Sequence, residues 1–192
     1  GTVIDTCGTG GAPKTFNIST VAALVVAGAA PGRVHVAKHG NRSRSGRGSA
    51  EVLSALGVNV DAGPEVQAAC LREAGVCFCF AIHHHPAAKH ASAARRSLGI
   101  PTMFNLLGPL CNPAAADRQL VGVFGAEYVQ PMAHALAELG TVRAMVVHGR
   151  DGMDEISTTG PTLVAHVDRG RVWSEEFDGA ALGVPRATLA DL

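Results

Sequence analysis

A chain of 192 residues with 47% hydrophobic and 17% charged side chains can bury one sizeable core, or a large and a small one, which excludes a disordered chain. Its 16 basic and 16 acidic residues cancel, so no overall field draws it to nucleic acid or to a membrane surface, and partners have to be argued locally. The cysteines at positions 7, 70, 77, 79 and 111 are odd in number and irregular in spacing, which excludes a disulfide framework and fits a reduced, cytoplasmic setting; no apolar run has transmembrane length, and the N-terminus lacks the parts of a signal peptide.

The short apolar segment Thr2 to Ile4 leads into Gly8-Thr9-Gly10-Gly11, where three glycines in four residues free the backbone to take positive φ and turn N–H groups toward one point. Val21 to Ala30 follows as a buried helix with Asn17, Ser19 and Thr20 as cap candidates. Backbone donors, hydroxyls and a helix start in one stretch suit an anion, phosphate above all. Neither the dinucleotide fingerprint nor the Walker loop fits the spacing.

Arg33 to Lys38 is the next strand. His39 to Ser49, with three arginines and three glycines and no hydrophobic period, is a basic loop. Ser49 caps a helix to Leu56 that Gly57 closes, Pro64 to Ala74 is a helix stopped by Gly75, and Val76 to Ile82 is a buried strand. Cys77 and Cys79 alternate with Phe78 and Phe80 in that strand and are core thiols, because zinc needs further ligands.

His83-His84-His85-Pro86 opens a helical segment from Ala87 to Leu98 that Gly99 closes. Adjacent histidines in extended chain point to opposite sides, so the triplet packs or caps and does not ligate one ion. Pro101 to Pro113 is a compact, turn-rich connection. Leu120 to Phe124 and Arg143 to His148 are strands flanking a helix, Tyr128 to Leu139; the glycine-flanked acidic loop Gly149 to Glu155 follows the second. Thr162 to Asp168 and Arg171 to Phe177 are strands joined by the hairpin signal Arg169-Gly170. Alternating strands and helices predict an α/β fold with a largely parallel sheet flanked by helices, whose functional loops follow Asp5, Ala37 and His148 at the carboxyl ends of strands.

These stretches, in order and near-register, resemble the anthranilate phosphoribosyltransferases. The similarity is carried by Gly8 to Gly11, Thr15-Phe-Asn-Ile-Ser-Thr20, Lys38-His-Gly-Asn-Arg-Ser43, Gly48 to Leu53, His84-His-Pro-Ala87, Phe104 to Leu110 with Asn112-Pro113, and Gly149-x-Asp-Gly-Met-Asp-Glu155. It runs from Asp5 to about Ser157 and implies a catalytic domain of the nucleoside phosphorylase and phosphoribosyltransferase type. Residues 1–192 are then one α/β catalytic domain truncated at both ends, since family members carry helices before the glycine loop and more chain after the last hairpin. Residues 86–113 are a helical and turn-rich excursion toward the acceptor site.

The resemblance implies transfer of the phosphoribosyl group of phosphoribosyl pyrophosphate to the amine of anthranilate, in tryptophan biosynthesis. Gly8, Thr9, Gly10, Gly11, Thr15, Asn17, Ser19, Thr20, Lys38, Arg42 and Ser43 are the implied contacts to phosphoribosyl pyrophosphate. Asp154 and Glu155, with Ser19, are the implied magnesium ligands. His39, Asn41, Arg95 and Pro109 are the acceptor-site residues, Arg95 facing the anthranilate carboxylate, with Arg96 in its place if the register shifts by one. Lys38, His39, Asn41 and Arg95 are the catalytic set, and His39 positions an aryl amine that is already unprotonated. Intact relatives are expected to be homodimers; neither a membrane nor a nucleic-acid partner is expected.

The chain departs from the family where Ala12 replaces an aspartate, which removes an acceptor near the substrate, and where the basic loop is one residue shorter and carries Arg44 and Arg47. Two other readings stand beside this one. A pyrimidine nucleoside phosphorylase would handle the same ribose carbon in the reverse sense. A non-catalytic nucleic-acid binder would use Arg33, Lys38, Arg42, Arg44 and Arg47 on phosphates, with affinity falling steeply in salt.

Overall fold

A computed structural model describes residues 1–11, 16–43 and 46–191. Seven strands form one sheet in the order β3-β2-β1-β4-β5-β6-β7, the largely parallel arrangement that the sequence predicts. The chain divides into two compact units, one of residues 1–6 and 19–116, the other of residues 7–18 and 117–192.

In the first unit the strand β1 (Thr2–Gly8, its last two residues counted with the second unit) runs parallel to β2 (Val34–Gly40), with Thr2 opposite Val34. β2 runs parallel to β3 (Val76–Phe80), with Val36 opposite Val76. Each parallel step needs a crossover, and helices provide it. Helix α1 (Ile18–Ala29) links β1 to β2, while α2 (Ser49–Ala55) and α3 (Pro64–Glu73) link β2 to β3. Ala23 and Ala27 of α1 pack on Val36, and Ala50 and Leu53 of α2 pack with Val60, Phe78 and Phe80. The small alanines bring α1 close to the sheet, whereas Val21, Leu24 and Val25 on its other side are exposed.

Beyond β3 the chain is helical through α4 (Ala81–His84), α5 (Lys89–Leu98) and α6 (Met103–Leu107), with 3-10 turns at Pro86–Ala88 and Gly108–Leu110. The thiols of Cys77 and Cys79 are 3.7 Å apart on one face of β3, packed with Ala37, and no disulfide joins any of the cysteines.

In the second unit β4 (Arg118–Gly122) and β5 (Arg143–Gly149) are parallel, and helix α7 (Val129–Glu138) crosses between them. Val129, Met132, Ala133 and Leu136 of α7, at helical spacing, are all buried, and the valine, methionine and leucine are each worth about 1.5–3 kcal/mol. β6 (Thr162–Asp168) and β7 (Arg171–Phe177) continue antiparallel. Arg169 at φ 47° and Gly170 at φ 82° make the two-residue turn whose twist matches the strands, as the hairpin signal predicts.

Four expectations are corrected. Helix α1 begins at Ile18, not Val21. The N-cap of α2 is Gly48, with no side-chain cap bond; Ser49 is the first helical residue, and its Oγ accepts from Thr20 Oγ1 at 3.0 Å. β3 ends at Phe80, so Ile82 lies in α4 and the first two histidines are helical. Residues 101–113 include the helix α6, opened by Thr102, whose N–H donates to Asn105 Oδ1 at 3.0 Å. No helix among the described residues is long and apolar enough to cross a membrane.

Candidate functional site

The second unit carries the glycine turn and the acidic loop. Gly8 is the last residue of β1, so its lack of a side chain is not about positive φ. A Cβ there would lie 3.1 Å from Asp154 Oδ2, and the missing side chain lets the carboxylate lie against the strand end. Gly10 and Gly11 do take the left-handed conformation, at φ 63° and 103°. Thr9 pins the turn to the end of β4: its N–H donates to Gly122 O at 2.9 Å and its Oγ1 accepts from Phe124 N–H at 3.1 Å. That amide is therefore committed to the fold and is not among the donors a phosphate can use. Thr15 and Ala12 lie outside the described residues, and Asn17 immediately precedes α1.

Asp154 is 8% exposed and follows the buried Met153. Gly122 makes room for it, since a Cβ on Gly122 would lie 1.7 Å from the Asp154 carbonyl oxygen. The loop itself is folded by Gly149 N–H donating to Met153 O at 2.8 Å and by Gly152 at φ 88°. Asp151 ties it down: Oδ2 accepts from the hydroxyls of Ser157 and Thr159, and Oδ1 accepts from Met153 N–H at 3.1 Å. Burial pushes the Asp151 carboxyl up, but the Ser157 and Thr159 hydroxyls and the Met153 amide outweigh it and hold it below the ordinary range. The buried Asp154 carboxylate, with Glu155 next in sequence, is a hard oxygen donor set that fits Mg²⁺. Among the described residues no three His, Cys, Asp or Glu side chains cluster.

The first unit carries the lysine and the histidines. Lys38, 3% exposed on β2, donates from Nζ to Thr6 O at 2.7 Å and to Ser19 Oγ at 2.9 Å. Thr6 Oγ1 in turn donates to Ser19 O at 2.8 Å, so the first turn of α1 is tied to β1 and the ammonium together. Asp5, 1% exposed, accepts the His39 N–H at Oδ1, 3.0 Å away.

His39 is 5% exposed, and its Nδ1 is 3.1 Å from Gly108 O. A carbonyl only accepts, so Nδ1 carries the proton and Nε2 the lone pair. His85 Nε2, 3.2 Å from His39 Nε2, is then the donor in that contact. Burial first and the His85 ring second hold His39 at about 4; the Gly108 bond opposes them, while His84 and Lys38 add to them. The three consecutive histidines have separate partners: His83 faces Asp61 at 3.6 Å, His84 Nε2 lies 2.7 Å from Gln67 Oε1, and His85 faces His39.

The depressed His39 has a measurable consequence. Between pH 6.5 and about 4 the unfolded chain binds this proton and the folded chain does not, so stability rises with pH across that window and is complete above it. Acidification from pH 7 to 4.5 is expected to remove up to about 3 kcal/mol through this residue. In urea titrations His39→Gln should flatten the pH dependence; equal slopes for wild type and variant would contradict the assignment.

Asn41 Oδ1 accepts from Arg42 N–H at 2.8 Å. The Arg42 guanidinium lies 5.5 Å from the Phe80 ring centroid and 3.9 Å from Asp61, both ends half-exposed, a pair worth little. Ser43 Oγ accepts from Arg47 N–H at 2.9 Å. Pro109 is buried in its 3-10 turn, and Asn112 holds that region on β2 through Nδ2 donating to Ala37 O at 2.8 Å. Arg95 is on α5 with its guanidinium 5.2 Å from the Phe104 centroid; the Arg96 side chain lies outside the described residues.

Each predicted group is thus assembled within its own unit: Gly8 and Thr9 with the Asp154 loop, and Ser19 and Thr20 with Lys38 and α2. Asp5, His85, Gly122 and Asp151 were not among the predicted site residues. A carboxylate inside an apolar strand was the available signal for Asp5, and an isolated glycine inside a strand for Gly122. Nothing local marks His85 as the partner of His39.

The profile of the glycosyl transferase family, a/b domain, matches residues 1–192. The anthranilate phosphoribosyltransferase of Rubrobacter xylanophilus is 56% identical over 186 residues, which are 96% of this chain and 54% of that protein. The crystal structure of the anthranilate phosphoribosyltransferase of Thermus thermophilus superposes with a TM-score of 0.87 at 47% identity, over 99% of this chain and 56% of that one. The Saccharomyces cerevisiae enzyme, solved in complex with PRPP and Mg, gives a TM-score of 0.82 at 28% identity, over 98% of this chain and 52% of that one. The chain spans about half the length of the curated relatives it matches.

Proposed function

This chain belongs to the glycosyl transferase family, as its a/b domain, and on that premise we propose that it carries the chemistry of an anthranilate phosphoribosyltransferase. The reaction moves the phosphoribosyl group of phosphoribosyl pyrophosphate to the amine of anthranilate, an early step of tryptophan biosynthesis, and releases pyrophosphate. The observation that carries the reading is the buried Asp154 carboxylate laid against the bare Gly8 at the start of the glycine turn. A carboxylate beside an anion-binding turn repels an anion unless a cation accompanies it, and phosphoribosyl pyrophosphate travels with such a cation.

In this reading Gly8 to Gly11, Thr15, Asn17, Thr20, Arg42 and Ser43 hold the sugar and its phosphates, and the Lys38 ammonium meets the pyrophosphate. Asp154 and Glu155 hold Mg²⁺; Ser19 keeps a proposed ligand role on the family resemblance. When bound, the ion neutralises charge on the leaving pyrophosphate. The residues of the chain then have to orient the acceptor. The Arg95 guanidinium offers a planar fork that matches the anthranilate carboxylate. His39, with a pKa of about 4, is too weak a base to drive proton removal. With Asn41 and Pro109 it positions the aryl amine, and the gain is one of proximity. The free thiols of the cysteines fit a reduced, cytoplasmic setting.

The test is loss of anthranilate fluorescence on mixing the protein with phosphoribosyl pyrophosphate and Mg²⁺. Turnover that needs all three components is expected, with none of thymidine or uridine in the presence of phosphate. Phosphorolysis without anthranilate turnover would replace the reading by the nucleoside phosphorylase one.

A further inference from the structure

We infer that Asp151 is a positioning residue that fixes where the Asp154–Glu155 pair stands. The inference rests on the proposed metal role of that pair. Asp151 accepts the Met153 N–H on one side of the pair and the Ser157 and Thr159 hydroxyls on the other. Between the anchored residues 153 and 157 lie Asp154, Glu155 and Ile156 alone, a span too short to wander once both ends are held.

The anchors are themselves tied to the sheet. Ser157 N–H donates to Thr162 Oγ1 at 2.9 Å, and Thr162 is fully buried in β6. Thr159 N–H donates to Ser157 Oγ at 2.9 Å, and Gly149 N–H, at the end of β5, holds Met153 O. Both Asp151 oxygens accept from donors of the loop, so this carboxylate is engaged as the clamp. Gly149 is part of the device, since a Cβ there would lie 2.4 Å from Asp151 Oδ1.

Asparagine keeps the shape of Asp151 but places an NH₂ where a carboxylate oxygen now accepts a hydroxyl or an amide, so at least one donor loses its partner. The probe is Mn²⁺ in the presence of phosphoribosyl pyrophosphate, with free Mn²⁺ followed by its paramagnetic resonance signal. Asp151→Asn is expected to raise the Mn²⁺ dissociation constant about tenfold, the usual scale for losing a group that orients a metal ligand. Thr159→Val, which removes one donor and keeps the fold if Asp151→Asn does not, should shift it in the same direction by a smaller factor. Asp154→Ala is the control and should weaken binding more than either.

Wild-type Mn²⁺ affinity in Asp151→Asn and Thr159→Val, with weakened affinity in Asp154→Ala, would overturn the inference and leave the proposed function standing. A lowered melting temperature with unchanged Mn²⁺ affinity of the folded protein would overturn it too, because a merely structural residue behaves that way. Unchanged affinity in Asp154→Ala would overturn both the inference and the reading of the pair as metal ligands.

Discussion

Lys38→Met is expected to lower kcat/KM for phosphoribosyl pyrophosphate by about 10²- to 10³-fold, the scale seen when a preorganised electrostatic donor is lost, more than its loss of stability explains. The ammonium is 3% exposed, and two of its donors are fixed on Thr6 O and Ser19 Oγ, both neutral acceptors. Holding a charge there has a desolvation cost, and methionine fills much the same volume without it. The exchange also leaves Thr6 O and Ser19 Oγ without that donor, a stability cost of about 1–3 kcal/mol that a residue kept only for the fold would show alone. A residue kept for a polyanionic leaving group loses the interaction that strengthens as the bond to the ribose breaks. Initial rates from anthranilate fluorescence, beside urea unfolding of both proteins, separate the two cases. Unchanged turnover, or a stability loss large enough to explain the rate, would remove Lys38 from the catalytic set.

Gly122→Ala is the second large effect. The added Cβ would lie 1.7 Å from the Asp154 carbonyl oxygen and 2.7 Å from its carbonyl carbon. Those are backbone atoms and cannot swing aside as a side-chain tip can, so either β4 or the acidic loop has to move. A destabilisation above about 3 kcal/mol is expected, at the upper end of overpacking, together with loss of metal-dependent turnover. Gly10→Ala gives the comparison: nothing stands within 4 Å of its Cβ, and only the φ of 63° opposes it. That costs about 1–2 kcal/mol. Equal unfolding midpoints for the two variants would mean that the Asp154 loop is not seated against β4 as described.

Much of this fold was legible because its punctuation is local. Gly57, Gly75 and Gly99, all at positive φ, end helices where the sequence places the stops, and Arg169-Gly170 turns the final hairpin. What escaped was set by tertiary partners. Ser49 has the chemistry of an N-cap, but its hydroxyl is engaged by Thr20, twenty-nine positions away, and the cap position falls to Gly48. The run Val76 to Ile82 is uniformly apolar, so periodicity alone could not mark the switch from strand to helix at Ala81.

The same division holds for the candidate site. The family resemblance named the glycine turn, Lys38 and Asp154, and Asp154 Oδ2 lies 3.1 Å from where a Cβ of Gly8 would stand. It could not foresee that the Thr9 amide would be used up by Gly122 O, nor that His39 and His85, 46 residues apart, would share a hydrogen bond. Both follow from which strand ends and helices the fold brings side by side, and such pairings leave no mark in a local stretch of sequence. Glycines at Gly8 and Gly122 illustrate the point: both were visible, but their purpose, space for Asp154, was not.

The most direct measurement is a calorimetric titration of phosphoribosyl pyrophosphate into the protein, with and without Mg²⁺, on wild type, Lys38→Met and Asp154→Ala. Saturable binding that requires Mg²⁺, weakened by Lys38→Met and stripped of its metal dependence by Asp154→Ala, is the result the proposed function predicts. Binding that ignores the metal, or the same isotherm from all three proteins, would contradict it.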